Sequence, residues 1–309
     1  MNPEFTIPEL TEVVARLSAL LGPREGSVVQ LDGGITNRNF KVNFGGTDYV
    51  VRLPGKRTAL LGIDRASECI ANKAAAELGI APRVATLLED PSCLVTAFIQ
   101  GREMTPEQLR EPDAIDEVGG ALRRLHESGT ELPSGFDSFR LVEEYAETGR
   151  QHGSEPPDGY DEALEAARAI EEAVRDQPEH EPVPAHNDLL PANFLRDGTG
   201  IQIIDWEYAG MGDRWFDLGN FAANNELADD DEATLLEAYF GEPPDGRRRA
   251  TLKLFRLMSD FREAMWGVVQ SGVSELDFDF DEYARKHFAR VQEALRDPSF
   301  GDWMEKART

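Results

Sequence analysis

The stretch His186-Asn187-Asp188-Leu189-Leu190-Pro191-Ala192-Asn193, followed twelve residues later by Asp205 at the end of the apolar run Ile201 to Ile204, decides how this chain is read. An Asp and an Asn five apart on a tight loop can point to one side, and an Asp at the tip of a hairpin strand can meet them across a cleft. Phosphoryl transfer needs such a set: a carboxylate that orients an acceptor hydroxyl and takes its proton, and hard oxygen ligands for a divalent cation. Asp188 suits the first task, and Asn193 with Asp205 suits the second. Taken singly, one Asp reads equally well as a turn cap and the other as a solvated surface group; the spacing is what joins them.

Upstream of this stretch, an amphipathic helix (Leu10 to Leu21) leads into the strand-like segments SVVQLD, NFKVNF and DYVVRL, joined by GGITNR and the Gly45-Gly46-Thr47 turn. Their spacing predicts an antiparallel meander. Asp64 caps a predicted helix that runs to Gly79, and RVATLL and SCLVTAFI follow as two strands around Asp90-Pro91-Ser92. A boundary is expected at Gln100-Gly101, dividing a nucleotide-binding sheet with one helix (1–100) from a helical region (101–309). In the second part, Asp113 to Glu127, Asp161 to Arg175, Asp231 to Phe240, Gly246 to Gln270 and Phe280 to Arg296 carry apolar residues at helical spacing. Pro182 to Gly212 reads as a loop followed by a short hairpin.

The first part offers the positive charge that the acidic set lacks. Arg52 ends the third strand, where it can reach nucleotide phosphates, and Glu68 on the next helix can hold its guanidinium. The plain alternative is a surface ion pair. Gly33-Gly34-Ile35-Thr36-Asn37-Arg38-Asn39 can lay backbone amides over phosphates, which makes Gly34, Asn37 and Asn39 candidate nucleotide contacts, although Gly-Gly between strands is by itself only a turn.

Composition narrows the partners. The 309 residues are 40% hydrophobic and 29% charged, the balance of a soluble globular protein, and 58 acidic against 32 basic residues leave a net charge of −26. So negative a surface repels nucleic acid and anionic membranes, and an anionic nucleotide needs a locally positive pocket and a metal ion to enter. Cys69 and Cys93 have no Cys or His neighbour at metal-ligand spacing and read as buried thiols. The opening MNPEFTIPEL lacks the basic start and apolar run of a signal peptide, so a cytoplasmic protein is expected.

In order and identity these pieces resemble the choline and ethanolamine kinase group of the aminoglycoside phosphotransferase and protein-kinase-like superfamily. The likeness extends from GGITNRNFKV through YVVRLPG, Glu68, Leu125-His126, HNDLLPAN and IIDWEYAG to RWFDLGN (Arg214 to Asn220) and SDFREAMWGVVQ (Ser259 to Gln270). It implies an α+β bilobal fold with an antiparallel-sheet lobe and a mainly helical lobe, ATP and Mg²⁺ in the cleft, and a small amino alcohol as acceptor, choline first and ethanolamine next. It makes Asp188 the base, Asn193 and Asp205 the metal ligands, and Arg52 with Glu68 the phosphate-binding pair. Other acceptors (an aminoglycoside, a sugar) and a non-catalytic nucleotide-binding module are the alternatives. Two departures from the group's pattern touch the acceptor pocket: Asn224 stands where a carboxylate is usual, and Glu263 where a tryptophan is usual.

A quaternary ammonium wants aromatic faces and a primary ammonium wants carboxylates and acceptors. Glu263 and Trp266 share a helix face at i and i+3, and Tyr283 on the next helix can close the site, unless the aromatics serve only to pack the helices together. Glu207 is a further candidate, and Trp206 and Trp215 read as packing. His126 reads as structural, Asp217 as a brace for the loop and His186 as its orienter. His152, His180 and His287 show no constellation, and Arg247 to Arg249 read as a helix start on a solvated face.

Overall fold

Leu10, Val13 and Leu17 recur at helical spacing in the opening helix α1 (Pro8–Leu21), and all three are buried against one face of a sheet. The computed structural model describes residues 8–31, 37–55, 58–90, 92–175 and 177–308, so the expected contact Gly34 lies outside the described residues. The sheet comprises β1 (Arg24–Leu31), β2 (Asn37–Phe44), β3 (Thr47–Pro54), β4 (Val84–Glu89) and β5 (Ser92–Ala97), in the order β1-β2-β3-β5-β4 with every neighbouring pair antiparallel. Strand alternation splits its faces: Phe40, Val42, Phe44, Val51 and Leu53 are buried in the core with α1. Asn39 and Arg52, directly opposite one another in the ladder, fall on the other face.

Between β3 and β4 runs α2 (Arg65–Glu77), begun by Asp64, whose side chain accepts from the Ser67 amide at 2.7 Å, and stopped at Gly79, which takes a φ of +76°. Its Ala71 and Ala75 join the larger, helical core and leave the sheet's own core to α1. Cys69 and Cys93 are free and buried, as expected.

Beyond the sheet come β6 (Arg102–Glu103), α3 (Pro106–Leu109), α4 (Pro112–His126), α5 (Ser138–Gln151), α6 (Tyr160–Val174), β7 (Val183–Ala185), β8 (Phe194–Arg196), β9 (Ile201–Ile203), β10 (Gly210–Gly212), α7 (Arg214–Asn224), α8 (Asp229–Phe240), α9 (Gly246–Val273), α10 (Phe280–Arg296) and α11 (Phe300–Ala307). The expected hairpin is β8 with β9, extended by β6, and β7 pairs separately with β10. The long α9 is the axis of the helical lobe, packed by α5, α7, α10 and α11. Sheet lobe and helical lobe together form the α+β bilobal architecture that the sequence implied. Among the described residues no helix is long and apolar enough to cross a membrane.

Periodicity passes over α5, α7 and α11. In α7 the polar residues Arg214, Asp217, Asn220 and Asn224 recur at helical spacing, but Asp217 and Asn220 are turned to the buried 186–193 loop and not to solvent. Two histidines that showed no constellation in the sequence gain acidic partners, and the solvated reading of Arg247 and Arg248 changes. His180 Nδ1 donates to Asp213 at 2.6 Å, His287 Nδ1 donates to Asp260 at 2.9 Å, and Arg247 and Arg248 both reach Glu179 instead of lying free in solvent. Trp206 and Trp215 are packing residues, each almost wholly buried.

One glycine sets how closely α7 approaches α9. A Cβ on Gly219 would lie 2.5 Å from the Phe255 carbonyl carbon and 2.6 Å from its oxygen. Gly219→Ala must therefore push two helix backbones apart, and urea unfolding is expected to register a loss of about 1–3 kcal/mol. A stability within 0.5 kcal/mol of the parent, roughly the scatter of a neutral surface change, would contradict the close approach. Burial pushes the Cys93 thiol up to about 12. At pH 8 its thiolate is about one part in ten thousand, so a thiol reagent should modify it only as fast as the chain unfolds.

Candidate active site

The 186–193 loop is shaped by a carboxylate on α7. Asp217 accepts from the amides of His186 at 2.8 Å and Asn187 at 2.6 Å, and from His126 Nε2 at 3.0 Å. Burial works against its charge, but the His126 hydrogen bond, the two imidazoles and the backbone donor outweigh it and hold the carboxyl below its ordinary range. The expected brace and structural histidine are therefore one unit. Asn187 takes a φ of +66°, and the Leu189 amide is captured by Asn220 Oδ1, whose own amide donates to Ser259 at 3.0 Å. His186 accepts the Asp188 amide on Nδ1 at 3.2 Å, so its proton sits on Nε2 and is donated to the Ile204 carbonyl at 3.0 Å. Burial lowers its pKa and keeps the ring neutral. His186 orients this loop and the strand carrying Asp205 together.

Asp188, Asn193 and Asp205 converge. Asn193 Nδ2 donates to the Asp188 carbonyl at 2.8 Å and to Oδ2 of its carboxylate at 3.3 Å, which leaves the carboxamide oxygen for a metal ion. The Ile204 amide donates to the Asn193 carbonyl at 2.9 Å and brings the next residue, Asp205, alongside. Asp205 has a φ of +66°, and its Oδ1 receives Arg52 Nη1 at 2.6 Å. Arg52 also donates to Glu68 at 3.0 Å, as expected. Burial alone would lower the pKa of Arg52, but Asp205, Glu68 and Glu207 reverse the sign and keep the guanidinium charged.

A second arginine extends this bridge between lobes. Arg65 meets Glu68 at 2.7 Å and Glu207 at 3.5 Å, and Asn37 donates to Glu207 at 2.8 Å. Asn37 and Glu207, expected on nucleotide and acceptor respectively, thus touch each other. Asn39 lies opposite Arg52 with its Oδ1 buried and without a hydrogen-bond partner among the described residues.

The donor set fits a magnesium ion. Asn193 and Asp205 offer carboxamide and carboxylate oxygens, which suit a hard divalent cation. Burial, opposed by Arg262 and reinforced by Glu263 and Asp205, pushes Asp188 up to about 8. The cluster has more negative charge than its arginines balance, and an added cation relieves it.

On the acceptor side, Glu263 gives Oε1 to Arg262 at 2.8 Å and Oε2 to the Tyr283 hydroxyl at 2.8 Å. Trp266 stands edge-on to Tyr283, with ring centres 5.4 Å apart, and its indole N–H donates to the Tyr208 hydroxyl at 2.7 Å. The structure therefore joins Glu263, Trp266 and Tyr283. Asn224 is not among them: it ends α7 with its Nδ2 buried and without a partner among the described residues. Sequence reasoning missed Arg262, Arg65, Tyr208 and Asn220. Arg65 had a signal, three residues before Glu68 on one helix. Arg262 had none, since it stands between Asp260 and Glu263 in a helix that carries several other charges.

Residues 27–252 match the model of the phosphotransferase enzyme family. Protein LicA of Haemophilus influenzae is 26% identical over 264 residues, covering 82% of this chain and 76% of its own length. Ethanolamine kinase 2 of Homo sapiens is 27% identical over 315 residues, covering 92% and 80%. A crystal structure of a choline/ethanolamine kinase family protein from Mesorhizobium loti is similar with a TM-score of 0.83 and 30% identity, over 97% of this chain and 99% of that one. With a family match over most of its length and a relative 30% identical across nearly the whole chain, the chain belongs to the phosphotransferase enzyme family and, within it, to the choline/ethanolamine kinase family.

Proposed function

We propose that this enzyme transfers the γ-phosphoryl group of ATP to the hydroxyl of a small amino alcohol, choline ahead of ethanolamine, in the cytoplasm. The observation that carries the reading is the convergence of Asp188, Asn193 and Asp205 beside Arg52. Asp188 orients the acceptor hydroxyl and takes its proton as the oxygen bonds to phosphorus and the bond to ADP breaks. Arg52, held by Glu68, neutralises charge on the nucleotide phosphates, with Asn37 and Asn39 on the same strand face. A magnesium ion held by Asn193 and Asp205 would supply further charge neutralisation on the phosphates.

The acceptor class is supported by the relatives' names and by the aromatic cluster of Trp266 and Tyr283, whose ring faces suit an alkylated ammonium. Glu263 shapes this side by accepting from the Tyr283 hydroxyl, with Glu207 as a further candidate contact. Ethanolamine stands second because the Glu263 carboxylate, which would suit a primary ammonium, is already bonded to Arg262 and Tyr283.

Asp188→Ala is expected to lower turnover by about 10²–10⁴-fold while ATP still binds by calorimetry. Turnover near the parent's would remove Asp188 from the base's role. In a panel of alcohols assayed by ADP release, choline should give the highest kcat/KM and ethanolamine the next. Activity on an aminoglycoside or a sugar but on neither amino alcohol would replace the acceptor class, and ATP binding without turnover on any alcohol would favour a non-catalytic nucleotide-binding module.

A further inference from the structure

Arg262 is among the largest fully buried side chains of the protein, and it lies on α9 directly behind the 186–193 loop. Its Nη2 donates to the Asn187 carbonyl and approaches Asp188 Oδ1 at 3.3 Å, while Nη1 lies 3.5 Å from the same oxygen and donates to Glu263 at 2.8 Å. The planar guanidinium thus spans three groups that a point charge could not hold at once.

The Asn187–Asp188 peptide is gripped from several directions. Asp217 takes the Asn187 amide, Arg262 the Asn187 carbonyl, and the Asn187 side chain donates to the Tyr208 carbonyl at 3.1 Å. At a φ of +66°, Asn187 holds a left-handed conformation that an unrestrained chain visits rarely. From Arg262 the contacts continue through Glu263 to the Tyr283 hydroxyl, from the Tyr283 ring to Trp266, and from Trp266 to the Tyr208 hydroxyl. They close on the starting point, because the guanidinium lies 5.0 Å from the centre of the Tyr208 ring. One ring of contacts therefore joins the wall of the acceptor pocket to the proposed base.

We propose that Arg262 is a positioning residue for phosphoryl transfer: it fixes the inner oxygen of Asp188 and the peptide before it, so that the outer oxygen meets the acceptor hydroxyl, and it ties that orientation to Glu263 and Tyr283. The same pairing sets acceptor recognition. Glu263, with one oxygen on Arg262 and the other on Tyr283, holds Tyr283 in place and does not itself receive the substrate's ammonium, which falls to the aromatic rings. The inference rests on the reading of Asp188 as the base.

The test uses the full-length enzyme with ATP and the best acceptor from the panel. Arg262→Lys keeps a positive charge but cannot span Asn187, Asp188 and Glu263. It should retain the parent's melting temperature and its KM for ATP within about twofold, while kcat falls about a hundredfold, the loss a misplaced reacting group can cause. Arg262→Ala supplies a second measurement: millimolar guanidinium added to it should raise kcat severalfold, and equal sodium chloride should not. A lysine variant with kcat within threefold of the parent, about the neutral range, would overturn the proposal, as would a loss of kcat matched by an equal loss of ATP affinity and of melting temperature. If Asp188→Ala stays active, the base assignment fails first. If Asp188→Ala is inactive and Arg262→Lys is not, only the present inference fails.

Discussion

A carboxylate with no access to water sits at the centre of this architecture. Burying Asp217 would be strongly unfavourable if its lone pairs were not met, and they are met by His126 and by two consecutive backbone amides of the 186–193 loop. The loop cannot move without stranding that charge. Everything the site needs follows from its fixed position: Asp188 one residue beyond the captured amides, His186 free to bond the strand that ends in Asp205, and Asn193 returning to the Asp188 carbonyl.

A second layer of charge joins the lobes. Arg52 and Asn37 come from the sheet, Arg65 and Glu68 from the helix that packs into the larger core, and Asp205 and Glu207 from the segment after β9. Neither lobe holds this set of charges alone. In a chain of net charge −26, the Arg52 and Arg65 guanidinium groups stand where carboxylates from both lobes meet, and each is held by more than one of them. Gly219, by letting α7 approach α9, connects the buried brace to the acceptor side.

Much of this was legible in the chain itself. The two faces of β2 and β3 follow from alternation, and Asp64 and Gly79 announce both ends of α2. Residues that act through a neighbour close in sequence, such as Asp188 with Asn193, carry their meaning in spacing. Arg262 did not, because its partners Asn187 and Asp188 are some 75 residues away and the helix around it is buried on nearly every side. The helix α7 has a polar face, but Asp217 and Asn220 on it are turned to a buried loop that only the fold brings there. His180 and His287 gained acidic partners that no local pattern could supply.

Periods, caps and the Asp188, Asn193 and Asp205 set were determined by the order of residues alone, since they depend on backbone geometry over a few positions and on the chemistry of oxygen ligands. Which oxygen of Glu263 faces Arg262 and which nitrogen of His186 keeps its proton were decided only by the folded arrangement. Hydrogen bonds between buried polar groups select among directions within an ångström, and that selection exists only once helices distant in the chain have packed against each other.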